Sequence, residues 1–91
     1  MIRELPKGLF DGLRELQILS LHANEISGLP EEVFSGLENL EYLYLGNNQL
    51  TSLPAGIFSD LEHLRHLHLY ANRIHRLPEG AFFGLNGIES L

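Results

Sequence analysis

The 91-residue chain has no cysteine, so neither a disulfide nor a zinc–thiolate centre can form within it. No apolar run approaches the ~20 residues that a membrane span needs, so no membrane contact is expected of this segment. The opening residues, MIRELPKGLF, lack the apolar stretch of a signal peptide. Basic residues are scarce: Lys and Arg number 6 against 12 acids, for a net charge of −6. None stands between Arg14 and Arg65, a stretch that holds Glu15, Glu25, Glu31, Glu32, Glu38, Glu41, Asp60 and Glu62. A phosphate backbone needs a basic cluster to neutralise it, so nucleic acid is excluded as a partner. Enzyme motifs are missing as well. There is no GxSxG, no phosphate-binding glycine loop, no HExxH and no cysteine nucleophile, so no catalytic residue and no cofactor is expected. No Asn-x-Ser/Thr sequon offers an N-glycan acceptor.

What the chain does have is a repeat. Pro6, Pro30, Pro54 and Pro78 recur every 24 residues, as do Phe10, Phe34, Phe58 and Phe82. Asn24, Asn48 and Asn72 keep the same spacing. Leu16, Leu40 and Leu64 open three full units, and Leu19/Leu21, Leu43/Leu45 and Leu67/Leu69 follow at fixed offsets. Each unit reads LxxLxLxxNx(I/L)xxLPxx(V/I/A)FxxLxx. With about ten positions matching in each copy, the period marks a stacked repeat architecture. The 44% apolar content is sufficient for a core. The units divide the chain into a partial repeat over 1–15, repeats over 16–39, 40–63 and 64–87, and a truncated strand over 88–91.

Each repeated position has a physical reason. The alternation Leu19-Ser20-Leu21 has period two and predicts a short strand with its leucines on one face. Strands one repeat apart would stack in parallel at ~4.8 Å, and their leucines would form a core that no single unit can bury. Asn24, Asn48 and Asn72 fall where the strands end, and a structural asparagine ladder is expected there. Each side-chain amide would bond backbone groups that the ending strand leaves unpaired. The Leu-Pro pairs fix an extended residue before a turn. The phenylalanines fall where a plug is needed on the back of the arc, with turn residues beside them at Gly12, Gly36, Asp60 and Gly84.

This pattern resembles the typical class of leucine-rich repeat over essentially residues 2–91. In animals that class builds extracellular horseshoe proteins: Toll-like receptors, variable lymphocyte receptors, Slit proteins and small leucine-rich proteoglycans. The stretches LPKGLFDGL (5–13) and LPAGIFSDL (53–61) look especially like variable lymphocyte receptors. The resemblance implies an α/β repeat solenoid, an arc with a concave parallel β-sheet and an irregular or short-helical convex side. It also implies an extracellular or cell-surface setting and a binding role, with immune recognition foremost. A matrix, adhesion or axon-guidance role is the alternative, and an intracellular scaffold or regulatory repeat region a further one. Secreted members carry cysteine-rich caps, which this chain lacks. It opens mid-repeat at Ile2 and ends at a strand leucine, Leu91, so a fragment of a longer protein is expected.

A solenoid's concave sheet is its usual binding surface. The outward positions are Ile18, Ser20 and His22 in the first unit, Tyr42, Tyr44 and Gly46 in the second, and His66, His68 and Tyr70 in the third. Gln17, Glu41 and Arg65 flank them on one side, and Glu25, Gln49 and Arg73 on the other. Tyrosine supplies large, rigid, polar-tipped contact area. The candidate ligand-binding set is therefore Tyr42, Tyr44, His66, His68, Tyr70, Ser20, His22, Glu41 and Arg65, facing a protein or glycoconjugate ligand. The competing reading is that aromatic residues simply favour strands. Gly46 is expected to leave a small pocket between His22 and Tyr70. Glu41 and Arg65 are expected side by side as an exposed ion pair worth under ~1 kcal/mol. His63, His66 and His68 suggest a metal, but His63 falls outside the strand face and too few ligands converge, so no metal site is expected. Their charging near pH ~6.5 is the better use, and makes the third unit a candidate pH-responsive surface.

Overall fold

The computed structural model describes residues 1–82, 84, 85, 87 and 88. Three short strands carry the fold: β1 (Ile18–Ser20), β2 (Tyr42–Tyr44) and β3 (His66–His68). They form one parallel sheet in the order β1-β2-β3. The register pairs Leu19 with Leu43 and Leu43 with Leu67, an offset of one repeat. Every residue of one unit therefore lies beside its counterpart in the next. The ladder runs on past the strand ends. Leu21 and Ala23 donate to the carbonyls of Tyr44 and Gly46, and Leu45 and Asn47 to those of His68 and Tyr70, at 2.8–3.0 Å.

The inward leucines make the core. Leu40, Leu43, Leu45, Leu64 and Leu67 are all at most 1% exposed. On the first strand, Leu19 is only partly buried. β1 and β3 are the two edges of the sheet, and the partly buried strand-region leucines, Leu19 and Leu69, lie in these outer units, although Leu67 on β3 stays fully buried. The back of each unit is a succession of turns. In the first unit Val33, Ser35 and Leu37 each donate to the carbonyl three residues earlier, as does Leu40, which opens the second. Among the described residues no helix forms, so the irregular alternative holds for the convex side and the short-helical one does not.

The phenylalanines explain that choice. Phe10, Phe34, Phe58 and Phe82 stack in a row with centroids 6.1–6.3 Å apart and planes within 15°. On the sheet side, register-paired rings lie 4.6 and 4.8 Å apart. The wider spacing at the back bends the stack with the sheet inside. A helix in each unit would need ~8–10 Å per step and would bend it much harder. Thin turns around a phenylalanine row match a step of about 6 Å. The truncated strand expected over 88–91 is not seen at Ile88, which lies outside any strand. Residues 89–91 lie outside the described residues.

Candidate functional site

The strand ends fix the surface. At each, a residue in the left-handed region turns the chain away from the sheet: Ala23, Asn47 and Ala71 have φ of 58°, 55° and 55°. The next residue is in each case the repeated asparagine. Asn48 is 7% exposed. Its Nδ2 donates to the carbonyls of Leu21, Leu45 and Gly46, and its Oδ1 accepts from the Ile26 amide. Asn72 makes the equivalent bonds to Leu45, Leu69, Tyr70 and Leu50. Asn24 bonds Leu21 and His22 and accepts from Ile2. Each asparagine thus ties its own strand end to the unit before it.

In front of these bends the outward side chains meet. Tyr42 and His66, register partners on β2 and β3, stack nearly parallel at 4.6 Å and 10°. Tyr44 and His68 meet at 4.8 Å, tilted by 51°. Tyr42 and Tyr44 are 6.1 Å apart along β2, and His68 and Tyr70 are 5.8 Å apart. Tyr70 reaches on to His22, two units away, at 5.9 Å. The result is one continuous strip of rings in the order His66, Tyr42, Tyr44, His68, Tyr70, His22. Tyr42, Tyr44, His66 and His68 are half-buried, while His22, Ser20 and Tyr70 are exposed. Each ring pair adds about 0.5–1.5 kcal/mol beyond the area it buries, so the strip is held in place before any ligand arrives.

The pocket expected at Gly46 is not there. The Tyr70 ring lies over Gly46, with its nearest carbon 3.0 Å from where a Cβ would stand. Residues 22, 46 and 70 share one row, and a glycine in the middle leaves a space one side chain deep. The neighbouring tyrosine fills it, because a void forfeits dispersion contacts on every wall.

At the rims, Arg65 donates its backbone N–H to the Glu41 carbonyl at 2.9 Å, which sets these two residues side by side. Glu25 receives the Arg3 guanidinium at 3.1 Å, an exposed pair of small energetic value. His63 lies off the strip, with Nδ1 2.8 Å from the Glu38 carbonyl. Among the described residues no three His, Cys, Asp or Glu side chains converge as a metal would require. Asn47 belongs to the site although the strand pattern did not single it out: its Nδ2 is 3.4 Å from His22 Nε2. The one signal for it in the sequence is the Asn-Asn pair, where the other units have alanine first.

The sequence profile described as leucine rich repeat matches residues 1–50 and again 39–91, so the two matches together run the length of the chain. The chain belongs to the leucine-rich repeat family. Modules of this family generally mediate protein binding and are typically not enzymes. No curated protein matches the chain at a significant level. Among the described residues, no helix is long and apolar enough to cross a membrane.

Proposed function

We propose that this chain is the recognition segment of an extracellular receptor or secreted recognition protein, with immune recognition as its setting. It takes a protein or glycoconjugate ligand on the concave sheet face, at Tyr42, Tyr44, His66, His68 and Tyr70, with Ser20, His22, Glu41 and Arg65 around them. The observation that carries the binding site is the strip of six touching rings. Rigid aromatic area with polar tips is what interface hot spots are made of, and rings already packed on one another lose little freedom on binding. Nothing in the core requires tyrosine at 42 or 44, since Leu43 and Leu45 fill it. The extracellular setting rests on the resemblance of residues 5–13 and 53–61 to variable lymphocyte receptors.

The test is a binding screen of the chain against two panels, secreted or cell-surface ectodomains and cytosolic proteins. The expected hit lies in the first panel. Tyr44→Ala combined with His68→Ala should weaken that hit by at least about thirtyfold, the scale of a hot spot, with an unchanged circular dichroism spectrum. Full binding by the double variant moves the site off the sheet face, and hits confined to cytosolic proteins overturn the setting.

A further inference from the structure

Resting on that reading, we infer that the ligand is a protein segment bearing carboxylates, laid along the ring strip with its acidic part over the third unit. The basis is how charge is divided between the two sides. The chain carries −6 overall, and five of its 12 acids line depressions on the turn side. Glu31, Glu32 and Asp60 line one depression of the turn side, and Glu38, Asp60 and Glu62 line another. Asp60 is held there by Ser35 Oγ at 3.0 Å and the Gly36 amide at 3.3 Å. The sheet face has Glu25 and Glu41 at its rims, and Arg3 already bonds Glu25. From Arg65 to Arg73 the third unit reads RHLHLYANR, with no carboxylate. Arg65 and Arg73 stand at opposite rims, with His66 and His68 between them.

An acidic back and a neutral-to-basic front orient an incoming partner and favour one that brings negative charge to the third unit. Arginine is the cation best suited to a carboxylate, which it grips with two parallel bonds. The rings between the arginines ask for apolar or aromatic side chains on the same partner. A sulfated polysaccharide needs a dense run of cations, and here two arginines are separated by rings, so a protein segment fits better. Aromatic neighbours surround each imidazole. His66 faces Tyr42, with Glu41 and Arg65 at its rim. His68 faces Tyr44 and Tyr70. His22 faces Tyr70 and Asn47.

The experiment selects a displayed random-peptide library on the full chain. Selected peptides should combine Asp or Glu with an aromatic or aliphatic residue. Their affinity should fall as salt rises. Arg65→Glu with Arg73→Glu should weaken them by at least about tenfold, whereas Glu31→Lys with Glu32→Lys on the turn side should not. Circular dichroism checks that both variants are folded. Peptides that need Tyr44 and His68 but carry no acid overturn this inference and leave the sheet-face reading standing. Peptides indifferent to Tyr44→Ala with His68→Ala overturn that reading itself. Binding of heparin in place of any peptide assigns the face to anionic glycans and overturns the protein ligand.

Discussion

Asn48 is the buried member of the asparagine row, 7% exposed. Its amide holds three carbonyls at 2.9–3.2 Å and receives the Ile26 N–H at 3.1 Å. Leucine fills a similar volume but can neither donate nor accept, so Asn48→Leu leaves the buried Ile26 N–H without a partner and takes one of two donors from the carbonyls of Leu21, Leu45 and Gly46. An orphaned buried group costs about 1–3 kcal/mol, and the substitution should lower stability by about that much. Asn24→Leu should cost less, because Asn24 is half-buried and water can replace part of what is lost. Urea unfolding of the two variants makes the comparison, and equal midpoints would leave the asparagines without the role their bonds suggest. The recurrence of Asn24, Asn48 and Asn72 was legible in the sequence. The bond back to the preceding unit was not, since it depends on register. The same holds for Tyr70: its outward position follows from alternation, but its lean across Gly46 to His22 follows only from the row that stacking creates.

At the scale of one element, the turn segments show where a repeat period stops being informative. The period marks the row of phenylalanines and the Leu-Pro starts but says nothing of how thick each back segment is. That thickness separates turns from helix, and it shows in the ring spacing of 6.1–6.3 Å. Close stacking has a second consequence at Gly84. A Cβ there would stand 2.8 Å from the Ser59 carbonyl oxygen and 2.9 Å from Ser59 Cα, and φ is +94°. Gly36, its counterpart two repeats earlier, has φ +85° but nothing within 4 Å of its Cβ position. Both should be destabilised by alanine through the backbone conformation, at about 1–3 kcal/mol. Gly84→Ala should cost measurably more than Gly36→Ala, because backbone must move in the former only. Paired thermal melts read the difference, and identical shifts would mean that the turn segments give way more easily than their spacing implies.

For the molecule as a whole, stability should behave as a sum along one axis. Leu43 and Leu45 of the middle unit are 0% exposed, whereas Leu19 in the first and Leu69 in the third are only partly buried, so an internal unit is worth more than an outer one. The period made the parallel sheet legible because a fixed offset forces like residues into rows, as Leu19, Leu43 and Leu67 show. It left curvature open, since bending depends on the difference between front and back spacing. If stacking governs stability, a second copy of residues 40–63 inserted after His63 should join the sheet in register. The inserted Leu43 and Phe58 would meet the same neighbours that the originals have now. One intrinsic term and one interface are added per unit. The chain should gain roughly 1–4 kcal/mol at the usual stability per residue. Its urea dependence should steepen by about a quarter, in proportion to the residues added, while the transition stays single. A second, separate transition would mean that the units are not coupled through the leucine and phenylalanine rows. An unchanged midpoint and slope would mean that the inserted unit does not fold onto its neighbours at all.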